Sequence, residues 1–333
     1  SINNNLMYAF RNATTWTNST LVDSNNAGIS PSIALNRTAA PHISYQGNQK
    51  LNIAKQDSGG EWASSPVDSQ GDLNSATTLK FDTNNSPHIS YFQQNSSGNR
   101  VRYAFKNASG WNKEIVNVNL PYPTPHISLA ITTSGIPHIS YSNNNLIYAS
   151  RNASIWNDEI VDSSSSFLHN SIELDDSGNT HISYYDSLNG NLNYTYSSQG
   201  VWEFAEVDVI GDVGESNSLA LDNSTNPHIA YFDDTDDTLK YAYHNGAGWK
   251  IMTVDTDVPE GRSASLVLDE NDIPHISYYS DTNDVLKYAT NEDFYADVAD
   301  EPLDSDSENN GGGGGGGGCL MSPEASFGAG WLL

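Results

Sequence analysis

Six tryptophans divide this 333-residue chain into units of nearly constant length. They are separated by 46, 49, 45, 46 and 47 residues, and six histidines recur in step with them. A period of this size indicates a repeat architecture in which each unit is one small supersecondary structure. A degenerate seventh unit follows, because Phe294 stands 45 residues after the last tryptophan. The recurring residues are Trp16, Trp62, Trp111, Trp156, Trp202 and Trp249, with His42, His88, His138, His181, His228 and His275.

Each unit is interpreted as four short β-strands. The second strand is written PHISYY or a close variant, and its side chains alternate between two faces of a sheet. Short segments rich in Asn, Asp, Ser and Gly separate the strands, and these are the residues that hairpin turns require. Four-stranded units of this length predict an all-β fold, namely a β-propeller in which each unit forms one blade.

The strand count predicts seven blades, of which the first is half present. Seven copies of the third and fourth strands occur but only six of the first and second, because the chain opens with LMYAF at 6–10. Six blades with an additional half blade are the alternative. We expect residues 1–300 to form the propeller, and residues 301–318 to form an acidic and poly-Gly linker.

The charge of the chain excludes several kinds of partner. It carries 41 acidic and 14 basic residues, a net charge of −27. Nucleic acids and anionic membrane surfaces need a basic footprint, so neither is expected as a partner of the propeller. No apolar run of 18 residues occurs, which leaves the C-terminal tail as the only expected link to a membrane. A single cysteine, Cys319, excludes an intrachain disulfide, and we expect a monomer.

The repeated polar residues are predicted to be structural. Each repeated histidine has Ser or Thr ten residues before it, and in four units Asp six residues before it. Buried polar side chains must bond to one another, so we expect a His–Ser–Asp network inside each blade with the Trp indole donating nearby. A shared metal ion is excluded for these histidines, because equivalent positions on adjacent sheets lie about 10 Å apart. For the tryptophans, core packing and sugar-stacking platforms are both open interpretations.

Unrepeated residues are the candidates for a ligand site. Function usually resides on loops carried by a rigid scaffold, and the loops entering each blade differ most between the units. A site at the central channel would use Tyr122, Phe167, His169, Glu215 and Arg262. Ordinary surface loops are the alternative. An enzyme would instead use Glu215 or Glu260 with Arg262 as a paired acid and electrostatic stabiliser.

One hairpin raises the question of calcium. Asp233, Asp234, Asp236 and Asp237 lie in a single acidic turn, and carboxylate oxygens are ligands that Ca²⁺ prefers. The turn lacks the spacing of a helix–loop–helix calcium motif, so a solvated acidic turn is the alternative. No other cofactor is predicted.

The SLALD, PHISYYD, LKYA and Trp units resemble repeats of secreted bacterial proteins, and the blade plan is loosely similar to sialidase-like and lectin propellers. The tail at 319–333 resembles the C-terminal sorting signals of bacterial surface proteins, in which the Gly-Cys region is the attachment point, here Cys319. These resemblances imply an extracellular or cell-surface protein. We expect a non-catalytic propeller that binds a glycan or a protein. The alternative is a carbohydrate-active enzyme, a hydrolase or a lyase, with its site at the mouth of the channel.

Overall fold

The structure is a computed structural model, and it describes residues 5–12, 15–22, 27–69, 76–95, 98–120, 126–256, 258, 262–280, 285–291 and 294–296. All regular structure in these ranges is antiparallel β-sheet. Within them there is no helix with the length and apolarity that a membrane span requires. The linker at 301–318, the tail and Cys319 lie outside the described residues.

Five sheets form complete four-stranded blades, each built from four consecutive strands. Blade 1 contains β3 (Ala27–Leu35), β4 (Pro41–Gly47), β5 (Lys50–Gln56) and β6 (Trp62–Asp68). Blade 2 contains β7 (Thr77–Phe81), β8 (Pro87–Asn95), β9 (Gly98–Asn107) and β10 (Gly110–Leu120). Blade 3 contains β11 (Ile127–Ile131), β12 (Pro137–Ser142), β13 (Leu146–Asn152) and β14 (Ile155–Asp162).

Blades 4 and 5 continue the same order, and two smaller sheets complete the structure. Blade 4 contains β15 (Phe167–Leu174), β16 (Thr180–Asp186), β17 (Asn191–Ser198) and β18 (Val201–Asp208). Blade 5 contains β19 (Val213–Leu221), β20 (Pro227–Asp233), β21 (Thr238–His244) and β22 (Trp249–Asp255). Blade 6 contains β23 (Arg262–Leu268), β24 (Pro274–Ser280) and β25 (Val285–Thr290), while β1 (Leu6–Asn12) pairs with β2 (Thr15–Val22). The short β26 (Tyr295–Ala296) pairs with β22.

The sheets surround a common axis. The first strand of each blade packs against the first strand of the next, from β3 to β7, β11, β15, β19 and β23, so these strands line a central channel. The two-stranded sheet packs on both neighbours: Tyr8 meets Trp62 of blade 1 with ring centroids 5.1 Å apart, and Trp16 meets Tyr288 of blade 6 at 5.4 Å. The predicted all-β propeller is therefore confirmed.

The prediction of seven blades is not supported. The described strands form six blades, the sixth with three strands, and one additional two-stranded sheet. This arrangement matches the alternative of six blades with an extra half. The prediction rested on counting strands, whereas blade number depends on how the two ends of the chain meet across the ring.

The hydrophobic core is divided between the blades. Each apolar cluster joins side chains of two neighbouring sheets, such as Leu146, Phe167, Ile172 and Tyr184 between blades 3 and 4. Five of the six repeated tryptophans pack edge-on against a tyrosine of the preceding sheet, as Trp202 does with Tyr148 at 5.4 Å, while Trp111 packs on the apolar cluster that contains Ile53. The indole of Trp202 also donates to Glu159 over 3.0 Å. The tryptophans thus fill the wedge between blades, which is the core-packing interpretation.

The repeated histidines form a His–Tyr–Asp network. In blade 4, His181 Nδ1 lies 2.6 Å from the hydroxyl of Tyr194, and Nε2 lies 3.8 Å from Asp175. Blades 2, 5 and 6 repeat this arrangement. We assign the hydroxyl as donor to Nδ1, which places the ring proton on Nε2 facing the carboxylate. Burial lowers the pKa of His181 to about 4, so its ring is neutral.

The predicted role of the repeated serines is wrong. In blades 1, 3, 4 and 5 the serine ten residues before the histidine bonds to the next blade instead of to the histidine. Ser32 Oγ accepts the backbone N–H of Leu79 from blade 2 over 3.0 Å, and Ser128, Ser171 and Ser218 act alike at later junctions. At the junction of blades 2 and 3, Thr78 donates to the carbonyl of Ile127 over 2.8 Å. The inner strands are thus hydrogen-bonded to one another around the channel.

Candidate ligand site at the channel mouth

The first strand of several blades contains a β-bulge near its N-terminal end, at the channel mouth. In blades 1, 4, 5 and 6 the pairing of the first two strands shifts just before the repeated serine. At the shift the backbone enters the left-handed region, with φ of 40° at His169. Such bulges turn a residue out of the regular alternation of a strand. The six equivalent residues around the channel are Ser30, Ala76, His126, His169, Ser216 and Ser263.

Two adjacent members of this set are histidines, and their rings are in contact. The imidazoles of His126 and His169 have centroids 3.6 Å apart and planes inclined by 37°. Both side chains are partly exposed. Burial lowers the pKa of His126 to about 4, so its ring is neutral at pH 7. Small residues occupy the other four equivalent positions, so this pair distinguishes one side of the mouth from the rest.

The backbone beneath these histidines is fixed by the following blades. Asn217 Nδ2 donates to the carbonyl of His169 and, over 2.9 Å, to that of Gly214. The amide oxygen of Asn217 accepts from Ser183 over 2.6 Å. Asn170 also accepts from the serine of the preceding blade, Ser140, over 2.6 Å. Because these bonds join blades, the position of the imidazole pair is set by the ring itself rather than by a free loop.

Three carboxylates lie near Tyr185, a tyrosine beside the His126–His169 pair. The ring of Tyr185 lies 6.2 Å from that of His169, and its hydroxyl donates to Asp212 over 2.5 Å. Burial, the bond to Asp212, and the charges of Asp212, Glu215 and Asp234 all raise the pKa of Tyr185. The hydroxyl therefore stays protonated. These residues come from blades 4 and 5 and the loop between them.

An ion pair lies in the channel. Lys80 of blade 2 contacts Glu173 of blade 4 with Nζ and Oε1 2.6 Å apart, passing the inner strand of blade 3. The equivalent position in blade 3 is Ala130, whose small side chain leaves room for the pair. Both side chains are partly exposed. The channel is therefore partly filled by charged side chains along this side.

Only some of the residues predicted as ligand contacts lie at the channel mouth. His169 and Glu215 lie at the mouth near Tyr185, the first in ring contact with it and the second close enough for its charge to raise the pKa of the tyrosine. Phe167 does not, because it is 1% exposed and packs against Tyr184 in the core between blades 3 and 4. Tyr122 and Glu260 lie outside the described residues, and Arg262 is described only as the first residue of β23.

The acidic hairpin of blade 5 is not arranged as a calcium site. Asp233 Oδ1 accepts the backbone N–H groups of Thr235 and Asp236, and Oδ2 lies 2.9 Å from the ammonium of Lys240. An internal cation thus neutralises the one buried carboxylate of this turn. Within the ranges that the structure describes, no three His, Cys, Asp or Glu side chains are grouped to hold a metal ion.

Three residues of the mouth were missed from the sequence, namely His126, Tyr185 and Asp212, while Asp234 was named only as a possible calcium ligand. His126 lies in a second PHIS string, and only an alignment on the repeated serine places it opposite His169. Tyr185 was assigned to a strand and so to the core. Its equivalents in the other blades are Gln46, Phe92, Ser142, Phe232 and Tyr279. This variation within an otherwise constant strand was the available signal.

The mouth can bind through hydrogen bonds and ring contacts. Carboxylates accept hydrogen bonds from hydroxyl groups, and neutral imidazoles both donate and accept. The aromatic faces add apolar surface. General acid–base catalysis is most efficient when the catalytic pKa lies near the working pH. Burial is the main cause that raises the pKa of Tyr185 and lowers that of His126, so both pKa values lie away from neutral pH.

Comparison with known proteins identifies the fold. No protein-family model matches the chain, and no curated protein matches it. Among solved structures, it is similar to an α-L-arabinofuranosidase of Fusarium graminearum in complex with arabinobiose, with 14% identity and a TM-score of 0.55 over 80% of this chain and 92% of that one. It is also similar to the lectin SapL1 in complex with α-methyl fucoside, with 13% identity and a TM-score of 0.56 over 82% and 95%.

A third similar structure is a polysaccharide lyase of family PL25, an ulvan lyase, with 15% identity and a TM-score of 0.57 over 82% of this chain and 84% of that one. At these identities the likeness concerns the fold, and it agrees with the ring of sheets described above. The class defined by fold and site is a β-propeller with a polar, symmetry-breaking channel mouth.

Proposed function

We propose that this protein is a non-catalytic β-propeller that binds a neutral glycan at the channel mouth. The observation that carries the proposal is the contact between His126 and His169, at 3.6 Å, beside the Tyr185–Asp212 hydrogen bond. These groups occupy the positions where the repeat is broken. A sugar offers hydroxyl groups for the carboxylates and an apolar ring face for the aromatic side chains.

The similar propellers support a glycan as the ligand class. One was solved with arabinobiose, one with a methyl fucoside, and one acts on the polysaccharide ulvan. A glycan ligand in the same kind of ring is therefore a reasonable extension to this chain. A protein partner would need a large complementary surface, and no feature of the mouth favours one.

The charge of the mouth favours a neutral glycan over an acidic one. Asp212, Glu215 and Asp234 surround Tyr185, and the whole chain carries a net charge of −27. Uronic acids and sulfated sugars would be repelled by this field. Uncharged hydroxyl groups can donate to the same carboxylates without that cost.

The test is binding of a neutral and acidic oligosaccharide panel, followed by calorimetry on the best ligand. We expect neutral glycans to bind, and His169→Ser to weaken binding at least tenfold, because it restores the residue found in blades 1, 5 and 6. The matched control is His244→Ser, which removes a histidine beside Trp249. Equal binding by wild type and H169S, or absence of binding across the panel, would contradict the proposal.

A carbohydrate-active enzyme is the second candidate, and one observation favours it. Tyr185 donates to Asp212 over 2.5 Å next to an imidazole, which is an arrangement that could transfer a proton if a bound substrate shifted either pKa. The test is turnover of a polysaccharide panel that includes arabinan. Hydrolysis or elimination that is lost in Glu215→Gln and Asp212→Asn would establish catalysis, while no product from any substrate would exclude it for that panel.

We further propose that the protein acts outside the cell, tethered to its surface. The proposal is supported by the acidic linker, the eight glycines at 311–318 and the following Cys319. A Gly-rich segment behaves as a flexible tether. Labelling of intact cells with an antibody, compared between the wild type and a Cys319→Ser variant, tests it. Loss of surface label in the variant is expected, and unchanged labelling would contradict attachment through this residue.

A further inference from the structure

Between several neighbouring blades, a layer of charged side chains surrounds the tyrosine of the second strand, the one three residues after the repeated histidine. In blades 2, 5 and 6 this tyrosine donates to an aspartate that ends the preceding blade. The three bonds are Tyr91 to Asp68 at 2.7 Å, Tyr231 to Asp208 at 2.8 Å and Tyr278 to Asp255 at 2.7 Å.

Each of these aspartates is neutralised by a cation from the third strand of the tyrosine's own blade. Arg102 lies 3.2 Å from Asp68, Lys240 lies 3.7 Å from Asp208, and Lys287 lies 3.0 Å from Asp255. In the sheet, the cation stands directly opposite the tyrosine. Burying a carboxylate without a counter-charge is costly, so the pairing stabilises the layer.

Blade 3 has neither the aspartate nor the cation at these two positions. The equivalent residue of β10 is Asn117, whose amide donates to Tyr141 over 2.7 Å and to Asp158 over 3.0 Å, and the residue opposite the tyrosine is Ile147. The acid and the cation are thus absent together. The acid and the cation occur together in blades 2, 5 and 6, which indicates that the cation balances the carboxylate.

Blade 4 retains the acids and lacks the cation. Tyr184 donates to Asp162 over 3.1 Å, but the residue opposite Tyr184 is Asn193. Asp186 occupies the position of Asp233, which in blade 5 contacts Lys240. Glu206 faces Asn193 from β18, where blade 5 has Thr253. None of these three carboxylates forms an ion pair within the described residues.

The place of the missing side chain is a cleft. It has a volume of about 450 Å³ and opens to solvent, and Asp162, Asp186, Asn193 and Glu206 line it. The Oδ1 atom of Asn193 is buried there without a hydrogen-bond partner among the described residues. Hydrogen bonds from Ser165 and Asn189 outweigh the effect of burial and keep the pKa of Asp186 below its usual value, so the carboxylate is charged.

We propose that this cleft binds a protonated amino sugar, with its ammonium group in the position that Lys240 occupies in blade 5. The ammonium would be met by Asp162, Asp186 and the unpartnered oxygen of Asn193. The cleft is much larger than an ammonium group, and its wall includes the ring of Phe204, which is 53% exposed. An exposed aromatic face together with Ser164, Asn189 and Asn191 suits a hydroxylated ring.

This site is separate from the channel mouth. Tyr184 and Tyr185 point to opposite faces of β16, and the cleft shares no residue with the group around His126 and His169. The inference therefore goes beyond the glycan binding proposed above. A variant of the mouth such as H169S should leave it unchanged, so failure of one proposal is distinguishable from failure of the other.

The test is calorimetry with glucosamine, N-acetylglucosamine, n-butylamine and CaCl₂ as separate probes. We expect glucosamine to bind at least tenfold more tightly than its neutral N-acetyl form, because acetylation removes the charge. Butylamine should bind more weakly than glucosamine, because it lacks the ring. The decisive variant is Asn193→Lys, which restores the cation of blades 5 and 6 and should abolish glucosamine binding.

The matched controls keep the test interpretable. N193K should melt at the same or a higher temperature than wild type, which shows that lost binding is not lost folding. Lys287→Gln removes the cation at the same position of blade 6, where Ser280 stands in place of Asp186, so a second carboxylate is lacking and glucosamine binding should stay unchanged. Equal affinity for glucosamine in wild type and N193K, or equal affinity for glucosamine and N-acetylglucosamine, would overturn the proposal. Calcium binding that N193K abolishes, with no glucosamine binding, would overturn it in favour of a metal site.

Discussion

The repeated histidines of the blades and the two histidines at the channel mouth differ in the partners of their ring nitrogens. In blades 2, 4, 5 and 6 each repeated histidine has a tyrosine on one nitrogen and an aspartate near the other. At the mouth, His126 and His169 contact each other, and small residues take their place elsewhere. The comparison teaches that recurrence marks side chains that stabilise the ring, and that the unrepeated polar groups on the same scaffold are the candidates for ligand contact.

The largest effect of a single substitution should come from breaking a buried ion pair between blades. Asp68 is 1% exposed and holds Tyr91, Arg102 and Lys113 together. Asp68→Ala would leave a buried guanidinium unpaired, and we expect a loss of about 3–5 kcal/mol in the free energy of unfolding. Urea denaturation measures it. A loss below about 1 kcal/mol would show that the layer contributes little to stability.

Acid should destabilise the ring through its buried imidazoles. Burial lowers the pKa of His126, His138 and His181 to about 4 from the ordinary 6.5. The unfolded chain therefore binds more protons between these values, and stability is complete above pH 6.5 and falls as the pH drops towards 4. Each group contributes a slope of up to about 1.4 kcal/mol per pH unit. Melting curves from pH 7 to 4 measure it, and His181→Gln should flatten the slope.

A smaller effect is expected from removing one network histidine, and blade 1 supplies the control. His228→Ala leaves the hydroxyl of Tyr241 buried without its partner, and we expect a loss of about 1–3 kcal/mol. In blade 1, Ile53 and Asn36 replace the tyrosine and the aspartate, and His42 bonds only to the carbonyl of Ala40 over 3.1 Å. His42→Ala should therefore cost less. Equal losses in the two variants, measured by chemical denaturation, would contradict the His–Tyr–Asp network.

The smallest effect on stability should come from the mouth. His169→Ser places at φ 40° the residue type that blades 1, 5 and 6 carry there at similar φ values. We expect a change within about 0.5 kcal/mol, as is usual for substitutions away from the core. The melting temperature measures it. A loss as large as that of His228→Ala would show that the imidazole pair serves the ring and would remove the contrast.

The sequence predicted the scaffold well because period and alternation are local signals. The strands, their order within a unit and the structural role of the repeated histidines follow from the residues alone. The partner of each serine did not follow, because spacing along the chain cannot tell whether Ser32 bonds within its blade or to Leu79 of the next. Blade number failed for a related reason, since Trp16 and Tyr288 are far apart in sequence yet adjacent in the ring.

The candidate site was half predictable. His169 and Glu215 were found because they are unrepeated polar residues at the start of an inner strand. Phe167 was assigned to the same loop, but its side chain belongs to the core. Tyr185 and His126 require an alignment of the blades on one another, and Asn193 is informative only as the absence of a lysine. The missing lysine of blade 4 is recognised only after the contacts of Lys240 in blade 5 are known.

The serine bond between inner strands has a consequence for how such a protein can grow. Blades 4 and 5 each present a hydroxyl acceptor at one border and a matching backbone N–H at the other, as Ser171 and Ile172 do within one strand. A duplicated stretch of gene encoding one unit would arrive with both connectors in place. Its insertion would create two new seams chemically identical to the old ones, so ring size can change by recombination without inventing a single new contact.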